Sequence, residues 1–295
     1  MATEKSETIK INLNAQSLPA GLYLVGTPIG YLKDISLRAL ETFMSVDVVA
    51  CEDTRVTGKL LHHYGIQVKK IKYNDHSDER VREEIFSRIE RGESVALCSD
   101  AGLPLIADPG YKLVRECVER GVYVTSIPGA CAALTGLQLS GLATDEFLFA
   151  GFVPNKKKAR EDLFSKNSAL AITQVYYETA VRIVDCVEAI ASVMGDRHIV
   201  VTRELTKSYE EVISGTCSDV LTRLKDQPIK GEVVLIVSGE RVEKSWDDEA
   251  IIKALRHEMV DLGASSKDAV KSVMAQSGWA KKQVYAFALD VKEQM

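Results

Sequence analysis

Short, mostly apolar runs recur along the first half of the chain, separated by stretches in which apolar residues return every three or four positions. The runs are Leu22–Val25, Val46–Cys51, Val68–Tyr73, Ser94–Cys98 and Val122–Ile127. Helical spacing falls between them, over Ser36–Met44, Thr57–Tyr64, Asp78–Arg91, Asp108–Arg120 and Pro128–Ser140. Strands that are apolar on both faces belong to a sheet covered on both sides, and their alternation with helices predicts a mostly parallel βαβ domain.

The texture changes near Gly151. The segment Gly151-Phe-Val-Pro-Asn-Lys-Lys-Lys-Ala-Arg160 carries Gly, Pro and a basic run and reads as a domain junction. A second α/β unit is predicted beyond it, with strands at Leu170–Tyr176, His198–Thr202, Glu211–Thr216 and Glu232–Ser238, and helices at Arg182–Met194 and Ser218–Lys225. After Gly239 only helical spacing remains, over Asp247–Leu262, Ser266–Ser277 and Ala280–Lys292. The expected organisation is a loose tail over 1–18, an α/β domain over 19–150, a second over 151–241 and a helical appendage over 242–295.

Composition narrows the function classes. Of the 295 residues, 46 % are hydrophobic and 27 % charged, enough apolar surface to offset chain entropy and exclude disorder as the main state. The net charge of −5 means that any nucleic-acid binding must use a local patch. Two candidate patches are Lys156, Lys157, Lys158 and Arg160, and Lys267, Lys271, Lys281 and Lys282 in the tail. No apolar run reaches the roughly 18 residues of a membrane helix, and the polar N-terminus lacks the apolar core of an export signal, so a cytoplasmic protein is expected. The six cysteines form no Cys-x-x-Cys pair and read as reduced, buried thiols. His62 and His63 are adjacent and point to different sides of a helix, so no metal site is expected.

Four segments following strands could carry chemistry. Leu22-Tyr-Leu-Val-Gly-Thr-Pro-Ile-Gly30 ends a strand in a Gly-rich turn but matches neither G-x-G-x-x-G nor a P-loop. Cys51-Glu-Asp-Thr-Arg55 sets four polar groups at a strand's carboxyl edge, as ligand contacts or as a helix cap. Ser99-Asp-Ala-Gly-Leu-Pro-Leu-Ile-Ala-Asp-Pro-Gly-Tyr111 is the most informative. Its small residues let a ligand approach the backbone, Asp100 can accept from hydroxyls or an amine, and Asp108-Pro109 is expected to start a helix. Ser126-Ile-Pro-Gly-Ala-Cys-Ala-Ala133 ends a strand in Pro-Gly before a helix of very small residues, leaving room against exposed N–H groups or for close helix–sheet packing.

Taken together and in order, these segments resemble the tetrapyrrole-methylase superfamily, and more narrowly its ribosomal RNA branch, whose members 2′-O-methylate a cytidine of 16S rRNA. The resemblance extends to Phe149-Ala-Gly-Phe-Val-Pro154, Arg203-Glu-Leu-Thr-Lys207 with Glu210-Glu211, and Gly231-Glu232. It departs from that branch at Tyr31, Leu103, Ser77-Asp78 and Ala180-Val181, positions that bear on the substrate pocket.

The resemblance implies two α/β domains of tetrapyrrole-methylase type with the cofactor cleft between them, plus a small helical appendage. The cofactor implied is S-adenosylmethionine, and the partners are 16S rRNA of the small ribosomal subunit and a second copy in a homodimer. Carried over by position, the cofactor contacts are Pro28, Ile29, Asp100, Leu103, Cys131 and Ala132, with Tyr177, Gly231, Glu232 and Val233 closing from the second domain. A ribose hydroxyl is a poor nucleophile that benefits from a proton acceptor. The cleft-edge candidates are Glu52, Asp53 and His76, with Arg55 placing a phosphate or orienting a carboxylate. The alternatives are a corrin or porphyrin-precursor methyltransferase of the same fold, a nucleotide-binding oxidoreductase and a non-catalytic RNA-binding assembly protein.

Overall fold

The computed structural model describes residues 12–74, 79–239 and 246–293. Two compact units result, Met1–Glu240 and Arg241–Met295.

The first unit opens with a five-stranded parallel sheet, β1 (Gly21–Val25), β2 (Val48–Cys51), β3 (Lys69–Lys72), β4 (Ser94–Cys98) and β5 (Val124–Ile127), in the order β3-β2-β4-β1-β5. Helices α1 (Leu37–Ser45), α2 (Thr54–His63), α3 (Glu79–Glu90) and α4 (Tyr111–Glu119) connect the strands. The period of two along each strand sorts the core into two layers. Tyr23, Val49 and Ala96 pack under α1 and α2 with Phe43 and Leu61, whereas Leu22, Val48, Val95 and Leu97 pack under α3 and α4 with Phe86 and Leu113.

The second sheet is mixed. Its strands are β6 (Phe147–Phe152), β7 (Thr173–Thr179), β8 (His198–Arg203), β9 (Glu211–Thr216) and β10 (Glu232–Val237), in the order β6-β7-β10-β8-β9. Only β6 and β7 run parallel. Helices α6 (Lys157–Asn167), α7 (Ile183–Met194) and α8 (Cys217–Asp226) cover one face through Phe164, Ile190 and Val220. The other face is covered by α5 (Ala132–Ser140), whose Ala133 and Leu137 meet Val175, Val200 and Val234. Gly136 lets this helix lie close, since a Cβ there would stand 3.1 Å from Val234.

Several elements differ from the sequence reading. The Gly151 region lies within strand β6, where Gly151, at φ 70°, accompanies a register shift between Phe149 and Phe152. The basic run then opens α6 and is largely neutralised: Lys157 faces Glu161 at 3.9 Å, Lys158 faces Asp162 at 2.9 Å, and buried Arg160 turns to Asp185 at 3.6 Å. Arg160 therefore belongs to the interior and not to a phosphate-binding patch. Helix α4 starts at Tyr111 and not at Pro109, because Gly110 adopts φ 134°. Helix α5 starts at Ala132 because Pro128–Cys131 run as a loop. The cap of α8 is Thr216, in a reciprocal pair with Asp219.

The second unit consists of α9 (Asp248–Arg256), a π-helical turn (His257–Asp261), α10 (Ser266–Ser277) and α11 (Lys281–Glu293) around Leu255, Val273 and Val284. Asp247 caps α9, Ser265 caps α10, and Gly278, at φ 71°, ends α10.

Candidate functional site

The strand order reverses direction between β1 and β4. From β1 the chain winds toward β3, and from β4 it winds back toward β5, so the carboxyl ends of β1 and β4 open a crevice. The loops leaving these strands cross there. Thr27 and Gly102 exchange backbone hydrogen bonds of 2.8 and 3.2 Å. The buried Thr27 hydroxyl donates to the carbonyls of Ser99 and Gly102 at 3.2 and 3.3 Å. Beyond the crossing, Leu105 and Ala107 adopt left-handed φ of 72° and 63°, at a cost of about 1 kcal/mol or more each. A third loop comes against the first: a Cβ on Gly26 would lie 2.7 Å from the Cα of Gly129. Glycine at both positions is what allows the two backbones to touch.

A cavity of about 360 Å³ lies between these loops and the second sheet. The loops contribute Ile29, Asp100, Leu103, Cys131 and Ala132. The second sheet contributes Tyr177, Glu232 and Val233. The antiparallel register explains that wall, because Tyr177, Glu178 and Thr179 of β7 stand opposite Val234, Val233 and Glu232 of β10. Pro28 and Gly231 adjoin the lining without forming it.

The lining also holds residues that sequence reasoning did not single out. Asp108 and Ile106 lay within the Ser99–Tyr111 segment and were legible there as an acid and an apolar group in a small-residue loop. Phe152 and Leu205 lay in segments that carry the family resemblance but were not singled out, whereas Glu178, Thr179 and Val234 come from strands of ordinary composition and offered no local signal.

Three polar arrangements shape the cavity. The backbone N–H of Asp53 donates to Asp100 Oδ1 at 3.1 Å, tying the start of α2 to the cavity wall. The Tyr177 hydroxyl accepts from the Ala133 N–H at 3.1 Å, fastening the second sheet to the first turn of α5, and burial raises its pKa. Glu178 has a fully buried side chain. It accepts from the Thr179 N–H and Arg182 Nε at 2.7 Å each and from the Cys186 thiol at 2.8 Å, and burial pushes that thiol up.

A tight turn joins the halves beside the cavity. Glu204 and Thr206 adopt φ of 48° and 65°. The Glu204 carboxylate accepts from the Glu232 N–H and Lys207 Nζ at 3.1 Å each, and these hydrogen bonds hold it below the usual glutamate range. Lys207 also reaches Glu232 at 2.8 Å. Gly30 faces this turn so closely that a Cβ would stand 2.6 Å from Lys207 Cγ, and the Tyr31 N–H donates to Thr206 Oγ1 at 2.9 Å.

Of the cleft-edge candidates among the described residues, Glu52, Asp53 and Arg55 do not line the cavity. The Asp53 carboxylate caps α2 through the Arg55 N–H at 2.8 Å and pairs with Arg55 Nη2 at 2.6 Å. The Arg55 guanidinium and N–H hold Asp53 well below the usual carboxylate range. Arg55 projects outward with its side chain 86 % exposed. Glu52 follows β2 and is half-buried. His76 lies outside the described residues.

Crossed glycine loops beneath a mixed sheet, with an apolar cavity at the switch point, define the class: the chain belongs to the tetrapyrrole (corrin/porphyrin) methylase family, whose family model matches residues 21–221. Within it, the chain is 46 % identical over 279 residues to Ribosomal RNA small subunit methyltransferase I of Erythrobacter litoralis, covering 95 % of this chain and 98 % of that one. It is 42 % identical over 273 residues to the protein of the same name from Haemophilus influenzae, covering 91 % and 96 %. Among solved structures, a diphthine synthase superposes with a TM-score of 0.59 at 20 % identity, covering 74 % of this chain and 89 % of that one. Uroporphyrin-III-C-methyltransferase from Thermus thermophilus gives 0.52 at 17 %, covering 74 % and 94 %. These two likenesses are of fold.

Proposed function

We propose that the protein transfers a methyl group from S-adenosylmethionine to the ribose 2′-hydroxyl of a cytidine in the RNA of the small ribosomal subunit. The observation that carries this reading is similarity over nearly the full length of both chains to proteins named for small-subunit ribosomal RNA methylation. The cavity fits the cofactor. Ile29, Leu103 and Leu205 offer apolar wall to a purine and a thioether, while Asp100, Asp108 and Glu232 suit a ligand with ammonium and sulfonium charge and ribose hydroxyls. When bound, S-adenosylmethionine supplies an electrophilic methyl on a positively charged sulfur. The chain's task is then to orient a hydroxyl, exclude water and accept a proton.

Asp53 is a weak proton acceptor, because its carboxylate is occupied by Arg55 and the N-terminus of α2. We assign the Asp53–Arg55 pair to the rim, where Arg55 is presented to substrate. Among the described residues no helix is long and apolar enough to cross a membrane. The reading places the protein in the bacterial cytoplasm as a homodimer.

Labelled S-adenosylmethionine offered with unmethylated small ribosomal subunits, and separately with a porphyrin precursor, tests the reading. Label in the 2′-O-methyl of an RNA cytidine is expected. Label in the tetrapyrrole alone overturns it.

A further inference from the structure

We propose that the outer edge of the first sheet, strand β3 together with helix α2, is the surface that grips RNA backbone phosphates beside the cavity. The inference rests on the RNA reading above and identifies the side from which the RNA arrives. From Thr54 to Asn74 the chain carries Arg55, Lys59, Lys69, Lys70 and Lys72 and not one Asp or Glu, in a protein whose net charge is −5.

The fold gathers Arg55, Lys59, Lys70 and Lys72 on one flank, and Lys69, in register with Val48, stands on the other face of the same edge strand. Arg55, Lys59 and His62 sit at i, i+4 and i+7 of α2, on one helix face, and all three are exposed. Strand β3 is an edge of its sheet and lies against α2, with Lys70 Cε 3.7 Å from where a Gly58 Cβ would stand. The flank leads to the cavity. Lys72 pairs in register with Cys51, at the carboxyl edge where the site opens. The first turn of α2 is tied to the cavity-lining Asp100 through the Asp53 N–H.

Pairing separates this flank from the basic run on α6. On α6, Lys157, Lys158 and Arg160 each face a carboxylate. Among the described residues no ion pair engages Lys59, Lys69, Lys70 or Lys72; Lys70 Nζ donates to the Val68 carbonyl at 3.4 Å. Lysines on an edge strand also guard against pairing with another sheet. That explanation covers Lys69, Lys70 and Lys72, but not the cations on α2 or the exclusion of acids from the whole stretch. Lysines without ion pairs, set beside the exposed guanidinium of Arg55, match a polyanion whose neighbouring phosphates must be held.

The test is binding of a transcript of small-subunit ribosomal RNA to the full chain, measured across a salt series. Each single-strand phosphate contact adds about 0.7 to the slope of log K against log salt. Lys69→Gln/Lys70→Gln/Lys72→Gln should lower affinity about tenfold or more at low salt and make the slope shallower by about 2. Lys59→Gln alone, on an exposed helix face, should make it shallower by about 0.7. Lys156→Gln/Lys157→Gln/Lys158→Gln should change neither. Thermal melting and S-adenosylmethionine binding confirm folding, and if the β3 variant fails to fold, Lys59→Gln decides. Unchanged slopes in the α2 and β3 variants overturn the proposal, as does equal loss from the α6 variant or absence of RNA binding by the unaltered protein. If the protein binds RNA with the expected slopes but methylates no ribosomal subunit, the basic flank stands and the methyltransferase reading falls.

Discussion

The two sheets of the first unit build opposite walls of one cavity by different means. In the parallel sheet every strand points the same way, so the carboxyl ends share an edge and the wall consists of chain that has left the strands: Ile29, Asp100, Leu103 and Cys131. In the mixed sheet β7 and β10 run antiparallel, and their strand residues themselves form the wall. A wall of loops can be altered with modest effect on the core beneath it. A wall of strands shares its residues with the core, so binding and stability there are hard to separate.

Glu178 tests that division most severely, because it lines the cavity while its carboxylate is fully buried among Arg182, Thr179 and Cys186. Removing one member of a buried pair strands the other, so Glu178→Ala should destabilise the protein by about 3–5 kcal/mol in denaturant unfolding. A loss confined to activity would break the comparison. On the loop side, Gly129→Ala drives a methyl into Gly26 and should cost about 1–3 kcal/mol, read as a lower midpoint, together with weaker cofactor binding. Asp100→Asn should act on binding alone, with S-adenosylmethionine affinity falling about tenfold in calorimetry and melting little changed, on the scale of a charge-assisted hydrogen bond.

The smallest effect concerns the turn between the halves. Glu204 is held below the ordinary glutamate range by the Glu232 N–H and Lys207. A depressed folded pKa contributes stability that is fully present above the unfolded value, near about 4.3, and is lost as pH falls through the folded one. Glu204→Gln should therefore melt below the unaltered protein at pH 7, and the gap should close in acid. A gap that widens in acid would refute the assignment.

The same contrast explains what was legible beforehand. Buried parallel strands announce themselves as apolar runs, and Ser94–Cys98 matches β4 residue for residue. Loops that leave such strands are conspicuous because Gly, Pro and Asp cluster where little else is tolerated, so Asp100 and Leu103 stood out. Strand β6 was hidden because its bulge needs Gly151, which reads as punctuation. Helix α6 was hidden because Lys156–Arg160 looks like a solvated linker until Glu161, Asp162 and Asp185 arrive to neutralise it. Glu178 was silent for a different reason: a lone acid in a strand shows nothing of the arginine and thiol that will surround it. The start of α2 was likewise open to two readings, and Asp53 acts as the helix cap while Arg55 stays exposed.

The strand order carries a consequence for synthesis. Strand β1 sits between β4 and β5, with Leu22 in register with both Val95 and Val124. As the chain emerges from the ribosome, β1 appears first and its nearer neighbour follows roughly 70 residues later, a wait of about 4–14 s at about 5–20 residues per second. Throughout that interval the nascent segment Gly21–Val25 has neither flanking strand, and α1, which follows directly, can shield only the side carrying Tyr23 and Val25. The protein's exposure to misassembly is therefore concentrated early in translation, and slow decoding between β1 and β4 would lengthen it.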